Sequence, residues 1–175
     1  MISALVFSPS LAAAAPEPRA AEALMRSLGS LVRATMEGVV RDAALIGPPG
    51  EELSTIADHA GCAFVEAANL GEGLGPALSA TRGDIVFALE GGYVLPGGFI
   101  EEASDLLLEG AAFSGALLRR APHDLATRLA PGLARPVGFL ARRETLRGAR
   151  ARDLAALIRH VRPGRTLATR AIRTV

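Results

Sequence analysis

Gly83-Asp84-Ile85-Val86-Phe87-Ala88-Leu89-Glu90-Gly91-Gly92-Tyr93-Val94-Leu95-Pro96-Gly97-Gly98-Phe99 is the stretch on which the reading of this chain turns. A Gly-Asp turn leads into the apolar run Ile85 to Leu89, which stops at one carboxylate, Glu90, and two glycines. Pro96-Gly97-Gly98 then opens a segment that begins with Glu101 and Glu102, the end at which a helix dipole favours acids. A short unbroken apolar run between breakers reads as a strand buried on both faces. Together these features set an acid at the carboxyl end of a strand, where open α/β sheets bind ligands.

The flanking segments alternate in the same way. Residues 2–8 form a β-branched apolar run ended by Ser8-Pro9 and predict the first strand. Residues 11–15, with Pro16 and Pro18, read as a loop. Residues 19–36 place Leu24, Leu28, Leu31 and Val32 at three- and four-residue spacing, which predicts an amphipathic helix. Residues 39–46 predict a strand closed by Gly47-Pro48-Pro49-Gly50, residues 51–60 a helix with acids in its first turn, and residues 62–66 a strand. The glycine-rich residues 69–75 read as a loop into a short helix ending near Thr81. Residues 84–89 and 96–109 are the fourth strand and its helix; 111–118 and 136–141 predict two more strands, and 153–161 a closing helix. The basic tail after Pro163 carries no predicted element. The expected fold is α/β, with a mostly parallel central sheet and helices on both faces. At 175 residues one domain is expected.

All nineteen basic residues are arginines, and the chain has neither lysine nor glutamine. That excludes a Schiff-base lysine and a lysine-bearing phosphate loop. The single cysteine, Cys62, excludes an internal disulfide and a thiolate zinc site, and reads as a small core hydrophobe. No basic segment precedes the short N-terminal apolar run and no window approaches a membrane span, so the expected location is cytoplasmic. Charge is split along the chain. Residues 1–115 carry five arginines against fifteen acids (−10), and residues 116–175 fourteen arginines against three acids (+11). The two parts either neutralise one another or leave a basic C-terminal face for a phosphate-bearing ligand, an acidic protein partner or an anionic membrane surface, which would make the protein peripheral to the membrane. Nucleic acid fits poorly, because Phe139 is the one aromatic residue among the C-terminal arginines.

Several familiar patterns fail on context. Gly71-Glu72-Gly73-Leu74-Gly75 lies mid-chain, and the third glycine of a dinucleotide fingerprint falls at Pro76. Ser114 lacks the flanking glycines of a nucleophile elbow. His59, His123 and His160 are scattered. The strand-end acid Glu90 remains.

The 83–99 segment resembles that of family 2 glycosyltransferases, which runs Gly-Asp, apolar strand, Leu-Asp-x-Asp-Asp, then Leu-Pro-x-Gly-Phe. The likeness extends over residues 2–109, including a helix similar to residues 24–39 and the turn Thr81-Arg82-Gly83-Asp84. The polar signatures differ. Glu90-Gly91-Gly92-Tyr93 stands for Asp-x-Asp-Asp, Gly47-Pro48-Pro49-Gly50 for the acids after the second strand, Gly75 for a helical Asn, and Pro9-Ser10-Leu11-Ala12 for Pro-x-x-Asn.

The resemblance implies a GT-A fold of the nucleotide-diphospho-sugar transferase kind, with residues 2–109 as the nucleotide-binding half and 110–175 as a basic C-terminal half. It implies a nucleotide sugar bound at the strand carboxyl ends, with Ser8 and Pro9 along the base and Glu90 toward Mn or Mg. Arg119 and Arg120 would neutralise phosphate, and Asp124, the one acid between Glu109 and Glu144, would deprotonate an acceptor. The eroded acids keep a second expectation open, a non-catalytic module of the same fold. A nucleotidyltransferase would want a glycine-rich basic loop after the first strand, and residues 12–15 are all alanine.

Overall fold

The computed structural model describes residues 1–11, 19–110 and 113–174. Its strands are β1 (Ile2–Phe7), β2 (Val40–Gly47), β3 (Ala63–Glu66), β4 (Ile85–Glu90), β5 (Tyr93–Val94), β6 (Ala116–Arg120), β7 (Pro136–Arg142) and β8 (Arg165–Arg173). Its helices are α1 (Ala20–Met36), α2 (Glu51–Ala60), α3 (Leu70–Ala80), α4 (Gly98–Leu108), α5 (Leu125–Leu129), α6 (Arg143–Leu146) and α7 (Leu154–Val161). The expected loop over 11–15 lies, from residue 12 on, outside the described residues.

The strands lie in the order β3-β2-β1-β4-β7-β6-β8-β5. β1 pairs in parallel with β2 and β4, and β2 with β3. β7 runs antiparallel to both β4 and β6, and β8 is parallel to β6. β1, β2, β3, β4, β6 and β8 therefore point one way, so the mostly parallel α/β architecture expected from the sequence is observed. β1 shows why its strand is apolar throughout: Ile2, Ala4 and Val6 face one core layer, and Leu5 and Phe7 the other. The first layer is covered by α1, α2 and α4, the second by α3, α6 and α7.

Three segments depart from the sequence reading. The glycine cluster is not a loop but part of α3, whose N-cap Asn69 accepts from Glu72 N at 3.1 Å. Glycine is a poor helix former, yet a Cβ on Gly73 would stand 2.3 Å from Ile46 Cγ2. Close packing of α3 on β2 thus overrides local propensity. The strand expected over 111–118 begins at Ala116; residues 111–112 are outside the described ones. The tail beyond Pro163 forms β8, with Leu167 and Ala171 buried. Its pairing with β6 slips in register near Leu117, and Glu102 of α4 accepts from Ala168 N at 2.7 Å and Thr169 N at 3.0 Å.

The amino edge of the sheet is closed by polar contacts. Gly83 N donates to the buried Ser3 hydroxyl at 2.7 Å, and Ser3 donates to Asp42. Arg143 Nε donates to Gly83 O at 2.6 Å, and its Nη2 to Thr81 Oγ1 at 3.1 Å. The opposite edge, where six strands end, is left for a site.

Candidate functional site

β1 and β4 are neighbours, so their ends arrive together. Gly91 N donates to Phe7 O at 2.8 Å, which carries the ladder one step past Glu90. β7 enters this edge in the opposite sense and brings Arg135, the residue before its first, against β4. Arg135 Nη2 donates to Glu90 Oε2 at 2.7 Å. The Glu90 side chain is only 18% exposed, against 56% for Arg135. Burial pushes the Glu90 carboxyl above its ordinary range, with Arg135 and then Arg173 working against that rise.

A cleft of about 420 Å³ opens beside this pair. Its polar lining is Ser8, Glu90, Arg135, Arg152 and Asp153, and Phe7, Leu70 and Leu154 are among its apolar walls. Asp153 caps α7 by accepting from Ala156 N at 2.7 Å through Oδ1. Arg152 has no hydrogen-bond or ion-pair partner among the described residues.

Of the residues expected from the sequence, Ser8 and Glu90 meet in the cleft. Pro9 is not among the cleft's lining residues and packs beside Gly91 instead, 3.0 Å from where a Cβ there would lie. Arg119 and Arg120 do not line it but hold the segment that does. Arg119 Nη1 donates to Ala134 O at 2.6 Å, and Arg120 N to Arg135 O at 3.1 Å. Asp124 is also absent from the lining and is occupied in capping α5. It accepts from Thr127 N at 2.7 Å and from the Thr127 hydroxyl at 2.8 Å. The Thr127 bonds, backbone first, hold its carboxyl below the usual range, which weakens it as a base. Cys62 is half-buried, and burial pushes its thiol up to about 11, in keeping with a packing role.

Sequence reasoning missed Arg135, Arg152 and Asp153. The two arginines belonged to a recognised basic half, but no local spacing singled them out. Asp153 was legible only as the start of a helix.

The surroundings of Glu90 suit a divalent cation poorly. Hard cations gather several oxygen ligands, more than one of them usually carboxylate. Here one Glu90 oxygen is bonded to a guanidinium, and the cleft's other acid, Asp153, caps a helix with one oxygen. Among the described residues no three His, Cys, Asp or Glu side chains gather where they could hold a metal ion. Position 91 has no room for an acid, because a Cβ there would lie 2.8 Å from Phe7 O and 2.9 Å from Leu24 Cδ1. Gly92 has φ +91°, a conformation that side chains resist.

No protein-family model matches the sequence, and no curated protein matches it. Solved structures do match. The glucosyl-3-phosphoglycerate synthase of Mycobacterium tuberculosis, in complex with Mn2+, uridine diphosphate and phosphoglyceric acid, superposes with a TM-score of 0.63 at 17% identity, over 99% of this chain and 70% of that one. The mannosyltransferase PcManGT of Pyrobaculum calidifontis, in complex with GDP-Man and Mn2+, superposes at 0.64 with 12% identity, over 99% of this chain and 56% of that one. A 4-diphosphocytidyl-2C-methyl-D-erythritol synthase superposes at 0.57 with 15% identity, over 96% of this chain and 88% of that one. The fold of this chain is the GT-A-like fold of nucleotide-diphospho-sugar transferases.

Proposed function

We propose that this protein binds a nucleotide sugar in the cleft at the carboxyl ends of β1 and β4, as a divergent relative of family 2 glycosyltransferases. The observation that carries the reading is the cleft itself, which opens where six strands end and sets Ser8 beside Glu90, Arg135 and Arg152. Open α/β sheets bind ligands at this edge. Solved proteins of the same fold hold UDP or GDP-Man. Ser8 borders the base side, and Arg135 and Arg152 face the phosphates. Arg119 and Arg120 support the Arg135 segment. The step of taking a proton from an acceptor hydroxyl goes to Asp153 rather than Asp124, because Asp153 lines the cleft. Calorimetric titration with UDP and GDP tests the reading. Saturable binding is expected, with a ligand at a hundredfold its Kd stabilising the fold by about 2.7 kcal/mol. Leu154→Trp, which fills the cleft from a half-buried wall, is expected to weaken binding at least about tenfold, the equivalent of about 1.4 kcal/mol. Failure of every nucleoside diphosphate to bind, with or without Mn2+, would sink the reading.

A second reading, a non-catalytic module docked on an anionic membrane surface, is favoured by one observation. Leu125, Leu129 and Leu133, between β6 and β7, are 75%, 87% and 71% exposed. They stand beside Arg128 in the basic half of the chain, a pairing of apolar and cationic groups that fits an anionic interface. Co-sedimentation with phosphatidylglycerol vesicles, but not phosphatidylcholine vesicles, is the expected result. It should be lost with Leu129→Asp. Equal recovery in the supernatant with both vesicle types would leave an acidic protein as the partner of this face.

A further inference from the structure

We infer that the cleft binds a diphosphate through arginines without a divalent cation, and that Glu90 is an internal counter-ion which holds Arg135 until the anion replaces it. The inference takes the position of the site from the nucleotide-sugar reading but makes a separate claim about its chemistry.

Four observations converge on it. One oxygen of the Glu90 carboxylate, Oε2, accepts from Arg135 at 2.7 Å, so that oxygen is not a free metal ligand. Arg152 faces the same cleft without a hydrogen-bond or ion-pair partner among the described residues. Arg173, at the end of β8 and outside the cleft lining, also acts on Glu90 as a positive charge, more weakly than Arg135. Neither position next to Glu90 in the chain can readily supply a second acid: Gly91 is closed by contact and Gly92, which stands where the resemblance has an acid, by backbone conformation.

Charge decides between the two ligands. A dication would enter beside two arginines, Arg135 and Arg152, with one of the two opposing acids, Glu90, already paired to Arg135. A diphosphate would enter the same field with complementary sign. The guanidinium fork matches two phosphate oxygens at once, and such charge-assisted bonds are about twice as strong as neutral ones. Arg135 is 56% exposed, so it can turn from one carboxylate oxygen to the anion without unpacking the core.

The sign of one substitution separates the two chemistries. A metal ligand lost at position 90 weakens binding, whereas a competing counter-ion lost there strengthens it. The experiment is calorimetric titration with pyrophosphate and with UDP, each in EDTA and in Mn2+, on wild type, Glu90→Gln, Arg135→Gln and Arg152→Gln. Expected is binding in EDTA, tighter by about tenfold in Glu90→Gln and weaker by about tenfold in each arginine variant, the scale of one charged hydrogen bond. Arg152 is exposed and unpartnered, so its variant reports on the site even if Glu90→Gln folds poorly; thermal melts check all three. Binding seen only with Mn2+ and lost in Glu90→Gln would overturn the inference and leave the nucleotide-sugar reading intact. Pyrophosphate bound as tightly as UDP would uphold the arginine site while removing the nucleoside from the proposed function. Unchanged affinity in both arginine variants would overturn the inference outright.

Discussion

Phe99→Ala is expected to destabilise the protein by about 3–5 kcal/mol, the range for truncating a fully buried phenylalanine. Phe99 and Phe87 are both completely buried, with ring centroids 4.6 Å apart and planes tilted by 40°. Phe87 lies on β4 three residues before Glu90, and Phe99 in the first turn of α4. The pair therefore clamps both ends of the segment that turns at Gly91 and Gly92. Removing one ring costs its transfer free energy and opens a cavity that a sheet fixed on both sides cannot collapse into. Phe99→Leu keeps most of the volume and is expected to cost less than half as much. Denaturant unfolding at unchanged m-value measures both. A loss below about 1 kcal/mol for Phe99→Ala would mean that this layer is not packed as described.

Gly91→Asp, which sets a second acid beside Glu90, is expected to destabilise by about 1–3 kcal/mol or more and to gain no Mn2+ binding. Two of the atoms the new Cβ would meet, Phe7 O at 2.8 Å and Pro9 Cδ at 3.0 Å, belong to the adjoining segment of β1 and its exit. Neither is the far end of a flexible side chain. Gly91 N also donates to Phe7 O, so the two segments cannot separate without losing a ladder bond. Gly92→Asp meets only an ordinary contact, Ala23 Cβ at 4.0 Å, but must adopt φ +91°, at a cost on the order of 1–3 kcal/mol. Thermal melts of both variants, with and without Mn2+, provide the check. A Gly91→Asp protein as stable as wild type and further stabilised by Mn2+ would show that the backbone here yields.

Much of the frame was legible because period and breakers are local properties. Residues 51–60 read as a helix, and the helix is Glu51–Ala60. Residues 2–8 and 84–89 read as buried strands, and β1 and β4 sit side by side, with Glu90 where the apolar run stops. The errors have one cause, contact at a distance overruling local preference. Gly71, Gly73 and Gly75 look like a loop, but α3 packs so closely on Ile46 that a small residue is required inside the helix. The tail after Pro163 has a weak strand pattern, with Leu167 and Ala171 its two buried residues, and gains its place from β6 and from Glu102.

The site divides in the same way. That an acid ends a buried strand, that glycines follow it and that arginines crowd the last third of the chain are facts of composition and order, and the sequence by itself determined them. Which arginine meets Glu90 depended on a strand 45 residues away running backwards between β4 and β6. Asp124 looked like the site acid because it was the only one in its stretch, but a local capping box claims it. Asp153 looked like a helix start and lines the cleft. Chain order encodes which groups exist and which local element each joins. Only strand pairing, a contact between residues far apart in sequence, decided which of them face one another.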